Sequence, residues 1–206
     1  TLKVETTGGS DVEAATNVCI SEFHYDNEST DVNEFVELAG DAGASLSGWS
    51  LQLYNGSSSQ RSPYNTIDFG ADDVLAPDSS NVGVFVETFP TNGIQNGAPD
   101  GLALVDPEGN VVQFLSYEGT FEAASGLATG LISTDIGVAE SSSTQIGESL
   151  QRVNGVWVGP QAETPGESAP GAADCAGGVE IVEAPIYDIQ GASHTSPLLG
   201  RQVRTT

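Results

Sequence analysis

Short apolar runs separated by polar, glycine-rich corners set the rhythm of this chain. Val18–Phe23, Phe35–Ala39, Trp49–Tyr54, Thr66–Phe69, Val82–Val86, Leu102–Val105, Val111–Tyr117, Leu150–Val153 and Val156–Val158 are each about the length of one strand. None carries a sustained helical period. Asn55-Gly56, Pro77-Asp78, Asn92-Gly93, Asn96-Gly97, Gly109-Asn110 and Asn154-Gly155 mark the corners between them, because Gly and Asn accept backbone angles that tight turns need. Asp106–Val111 (DPEGNV), between LALV and VVQFL, reads as a hairpin, and so does Arg152–Val156 (RVNGV). This spacing predicts an all-β fold, an antiparallel β-sandwich. Trp49 and Trp157 are the expected anchors of its core, with Leu51, Leu53, Phe35 and Phe114 around them.

Three stretches break the rhythm. Gly119–Ile146 is rich in Ala, Ser, Gly and Thr and reads as a long ordered loop, with room for one helical turn near Glu122–Ser125. Gln161–Ala173 is a Pro/Gly/Glu-rich exit segment in which Thr164–Gly166 closes the domain. Both ends of the chain are strand-competent: Leu2–Thr7 alternates, with Leu2 and Val4 on one face, and Val179–Gly191 can extend up to the break at Pro185. The expected organisation is an extended N-terminal segment (1–17), a sandwich (18–170) and a C-terminal linker with a strand segment (171–206).

Charge narrows the function classes. Five Lys and Arg residues stand against 29 Asp and Glu residues, a formal charge of −24. Such a surface repels phosphate backbones, so direct nucleic-acid binding is not expected. It suits solubility in salty water, where self-repulsion is screened. No apolar run is long enough for a membrane span or a signal peptide, and membrane insertion is not expected. Thr1 opens the chain and methionine is absent, which suggests processing upstream. No GxSxG, HExxH or P-loop pattern is present, and His24 and His194 are the only histidines. The chain is therefore read as non-catalytic, with His24 a structural hydrogen-bonding residue.

Two sets of residues remain as candidate sites. Asp26, Asn27, Asp31 and Glu34 offer hard oxygens close together, which suits calcium. They lack the glycine and terminal bidentate Glu of an EF-hand, and the plainer reading is a solvated acidic loop. Cys19 and Cys175 are either two buried thiols or a disulfide, and an extracellular setting favours the disulfide. By chain entropy so long a loop would contribute roughly 5 kcal/mol, before any native strain.

The stretch Ile20–Leu38 (ISEFHYDNESTDVNEFVEL) with Leu46–Gly56 (LSGWSLQLYNG) resembles the lamin tail domain in its secreted bacterial form. Asn92–Asp106, Val111–Gly119, Ser133–Gly137 and Ser149–Gln151 extend the resemblance over about residues 18–170. It implies an immunoglobulin-like sandwich that is not an enzyme, of the kind found in front of secreted endonuclease/exonuclease/phosphatase-type nucleases. Ile186–Val203 resembles the first strand region of the OB-like domain that follows in such proteins, and no nuclease residue can be carried over.

Two readings of function follow, both extracellular. In the first, the chain is a structural module that self-associates, up to filaments, through its terminal segments. Leu2, Val4, Ile186, Tyr187, Ile189, Leu198 and Leu199 are its apolar anchors. In the second, it is an accessory or tethering domain of a secreted nuclease.

Overall fold

The computed structural model describes residues 14–172, together with the backbone of two short strands further on. The strands are β1 (Val18–His24), β2 (Phe35–Gly40), β3 (Ser50–Asn55), β4 (Ser62–Asp68), β5 (Ala76–Pro77), β6 (Gly83–Thr88), β7 (Asp100–Val105), β8 (Val111–Tyr117), β9 (Thr134–Asp135), β10 (Glu148–Val153), β11 (Val156–Ala162), β12 (Val182–Glu183) and β13 (Val203–Arg204). A six-stranded sheet runs β11-β10-β1-β2-β6-β5 and a five-stranded sheet runs β4-β3-β7-β8-β9. Together they form an all-β, immunoglobulin-like sandwich. The chain divides into two compact units, Thr1–Cys175 and Ala176–Thr206. In the second, β12 pairs in parallel with β13.

Alternation along the strands builds the interior. In β3 (SLQLYN), Leu51 and Leu53 enter the main core while Gln52 and Tyr54 face outward. In β1, Ile20 and Phe23 both face inward although three positions apart, which strict alternation forbids. A bulge between Ile20 and Glu22 in the pairing with β2 absorbs the extra residue and restores the register. Trp49 is buried as expected, and its indole N–H donates to the Ala15 carbonyl at 3.2 Å. Trp157 is only half-buried; it packs edge-on against Phe23 at 5.2 Å from the adjoining hairpin. That hairpin turns at Asn154-Gly155, both with positive φ, as the NG signal predicts. The β7–β8 hairpin closes at Asp106–Asn110, where the Asp106 carboxylate accepts the Asn110 N–H.

Phe114 and Phe35 lie elsewhere than expected. Both are buried, yet neither belongs to the main core. Phe114 packs with Tyr54, Ala103, Phe121, Ala123 and Ala128 in a second cluster on the outer face of the five-stranded sheet. Gly119–Ile146 supplies the cover. Its first part, through Phe121–Leu131, folds over that face without a helical turn, and Tyr54 Oη accepts the Ala128 N–H at 3.0 Å. The same segment then adds β9 beside β8. Small residues in this stretch allow close approach to the sheet, which its apparent lack of period concealed. Phe35 pairs across from Thr88 and so faces outward from the six-stranded sheet.

Candidate functional site

The outer face of the six-stranded sheet is polar, buried and covered by the exit segment. Glu22 and Glu37 project there from β1 and β2, both essentially inaccessible. Glu22 accepts the Ser149 hydroxyl at 2.6 Å, the Thr164 N–H at 2.8 Å and the Thr164 hydroxyl at 2.7 Å. Glu37 accepts the Gly166 N–H at 2.8 Å and meets the Ser21 hydroxyl at 2.9 Å. Further along, Asp78 accepts the Ser168 N–H at 2.9 Å. Burial pushes the Glu37 carboxyl up to about 7, against the opposing pull of these donors, and raises Glu22 in the same sense. With so few cations available, main-chain N–H groups take the place of salt-bridge partners. Ala172 ends the covered stretch, packing on Cys19 and Ala39.

At one end of the sandwich, β1 runs into the acidic loop. His24 Nδ1 lies 2.9 Å from Glu140 Oε1 and Nε2 lies 3.1 Å from Asn27 Oδ1. Asn27 Nδ2 donates to the Glu28 and Thr30 carbonyls, so Oδ1 is the acceptor and both imidazole nitrogens carry protons. Burial alone would lower the imidazole's pKa, but the hydrogen bond and charge of Glu140 outweigh it and hold it at about 8. The second Glu140 oxygen accepts the Tyr25 and Asp26 N–H groups at 2.6 and 3.0 Å. His24 is thus the structural residue expected of it.

The proposed calcium residues are only partly gathered. Asp26, Asn27 and Asp31 line one polar cleft of about 400 Å³ with Asn96, Glu118 and Glu140. Burial and the neighbouring Asp31 push the Asp26 carboxyl up to about 6. Asn27 Oδ1 is committed to His24 and to the Val32 N–H at 2.9 Å. Glu34 is engaged elsewhere: its two oxygens accept the Gly93 and Ile94 N–H groups at 2.8 and 2.9 Å. Among the described residues no group of three or more His, Cys, Asp or Glu side chains is placed to hold a metal ion. Cys175, Leu2, Val4, Ile186, Tyr187, Ile189, Leu198 and Leu199 lie outside the described residues.

A separate groove of about 540 Å³ opens where β2 and β6 meet the exit segment, with Phe35, Val86, Thr88, Pro90, Glu163 and Pro165 among its lining residues. Among the described residues, Glu163 Oε2 is buried there without a hydrogen-bond partner.

Sequence reasoning missed Glu140, Glu22 and Glu37. Glu140 gave no signal, since its partner lies far away in sequence. The other two were visible as charges inside apolar strands (SEF and VEL), a pattern that marks a buried, hydrogen-bonded group.

No curated protein and no solved structure gives a significant match to the chain. Residues 11–119, more than half of the chain and the whole course from β1 to β8, match the Lamin Tail Domain family. With β1 to β8 of the immunoglobulin-like sandwich inside that match, this chain belongs to the lamin tail domain family, a structural rather than an enzymatic one.

Proposed function

We propose that the protein is an extracellular structural module that associates with copies of itself through its terminal segments. The observation that carries this reading is the distribution of free surface. Among the described residues, segment 119–132 lies over part of one outer sheet face and 163–172 over part of the other, which leaves strand edges as open main-chain surface. Strand addition at an edge supplies hydrogen bonds, and alternate apolar side chains supply affinity. Ile186, Tyr187, Ile189, Leu198 and Leu199 would contribute roughly 1.5–3 kcal/mol each if fully buried, before association costs. A head-to-tail contact of this kind closes into rings or continues as filaments.

Sedimentation of the full chain over a range of protein and salt concentrations tests the reading. Association is expected to strengthen as salt screens the charge of −24. It should be lost in the triple variant Ile186→Asp, Leu198→Asp, Leu199→Asp. A full chain that stays monomeric at high protein and high salt favours the other reading, an accessory domain of a secreted nuclease. The motif resemblance over Asn92–Asp106 and Val111–Gly119 supports that alternative.

A Cys19–Cys175 disulfide belongs to the same extracellular reading. Its support is that Cys19 is not a free thiol and that its Sγ lies 3.7 Å from the carbonyl of Ala172, close in sequence to Cys175. Thiol titration of the unreduced, denatured chain should find no reactive group. Calcium has less support, since Glu34 and Asn27 are already engaged; calorimetric titration with calcium is its direct test.

A further inference from the structure

We propose that the segment Leu198–Arg204 of a second copy adds as a strand along β6, seated in the groove beside the exit segment, with Arg201 over Glu163 and Arg204 over Glu87. The inference rests on the self-association reading and names its receiving site. The first observation is an edge left open among the described residues. β5 pairs only with Gly83 and Val84 and ends there. Phe89 N–H donates to the Glu34 carbonyl at 2.9 Å, in register with the pair Val36–Glu87. Antiparallel alternation therefore turns the N–H and C=O groups of Val86 and Thr88 away from β2, toward the open side.

The second observation is charge. Of the five Lys and Arg residues only Arg61 and Arg152 lie within the sandwich; Lys3, Arg201 and Arg204 lie in the terminal segments. The groove is acidic, and Glu163 Oε2 sits buried in it with no donor among the described residues. An arriving guanidinium supplies that donor. Leu2–Thr7 brings one lysine and an acid, Glu5, and matches less well.

The third is alternation. Val203–Arg204 is β13, paired along one edge with β12; in a strand extended back to Leu198, Leu199, Arg201 and Val203 share one face and Arg204 lies on the other. The groove side of β6 offers Phe35, Val86 and Pro165 to the two apolar residues and Glu163 to Arg201. Glu87 pairs with Val36, which faces the interior, so its side chain leaves β6 on the opposite face, where Arg204 falls.

The test uses the full chain at about 0.15 M ionic strength, where contact charges still act, and reads the association constant by sedimentation equilibrium. Arg201→Glu with Arg204→Glu, and separately Glu87→Arg with Glu163→Arg, should each weaken association by about tenfold or more. Mixing these two double variants should restore it, because the reversed segment of one then meets the reversed groove of the other. Val86→Pro removes an outward N–H without touching the β2 ladder and should also weaken association; if it fails to fold by circular dichroism, the charge variants decide alone. Association of the parent chain that neither double variant alters overturns the groove assignment and leaves self-association standing. Loss in both variants without recovery on mixing also overturns it, as docking within one chain would give. A parent chain that never associates overturns both readings.

Discussion

His24 and Glu140, 116 residues apart in sequence, form an ion pair of 2.9 Å with both side chains wholly buried. The pair joins the end of β1 to the segment that follows β9. Its carboxylate also fixes the start of the acidic loop through the Tyr25 and Asp26 N–H groups.

Removing the imidazole leaves that carboxylate uncompensated. His24→Ala should cost about 3–5 kcal/mol of stability, read from the midpoint of urea unfolding. Glu140→Gln in the same background should recover part of the loss. Equal stability of His24→Ala and the parent chain would show that the pair does not hold the two segments together.

Stability should fall as pH rises from about 5 to about 8.5. Glu37 keeps its proton in the folded state up to about 7 but loses it near the ordinary carboxylate value when unfolded. The folded state therefore binds more protons between those values, and its contribution is lost as pH climbs. His24 acts in the same direction, since its folded value of about 8 lies above the free imidazole value. The melting temperature at pH 5.5 should exceed that at pH 8.5 at constant salt; the opposite order would reject the assignment of these two groups.

Glu37→Gln should be tolerated to within about 1 kcal/mol, because an amide can still accept the Gly166 N–H and donate to the Ser21 hydroxyl. It should also remove part of the pH dependence near neutrality. Glu37→Leu leaves the Gly166 N–H without its acceptor and should cost about 1–3 kcal/mol. Limited proteolysis is expected to cut the exit segment faster in Glu37→Leu than in Glu37→Gln.

Phe121→Ala should empty the middle of the second cluster, where the ring meets Phe114 edge-on at 5.3 Å and Tyr54 at 6.3 Å. A loss of about 3 kcal/mol is expected in chemical denaturation, with new cleavage between Gly119 and Leu131. Loss of stability without new cleavage there would mean that the cover stays down by other contacts.

Nine of the eleven sandwich strands, the two hairpins and the burial of Trp49, Leu51 and Leu53 were legible in the sequence because alternation and Asn-Gly corners are local signals; the two-residue β5 and β9 were not. The bulge in β1 came only with the structure, because it is set by the pairing with β2. The placement of Phe35 and Phe114 was not legible either. A buried aromatic on the outer face of a sheet has the same local pattern as one in the core, and only the segment that covers it tells them apart.

The acidic loop shows the same divide. Its carboxylates were plain in the sequence, but Glu34 spends both oxygens on Gly93 and Ile94 and Glu140 arrives from beyond β9. The sequence by itself determined an antiparallel sandwich, its corners, the absence of catalytic motifs and an acidic body whose cations gather near the ends. Only the tertiary structure decided which carboxylates are buried and which N–H groups satisfy them. Those contacts join residues far apart along the chain, where local pattern carries no information about partners.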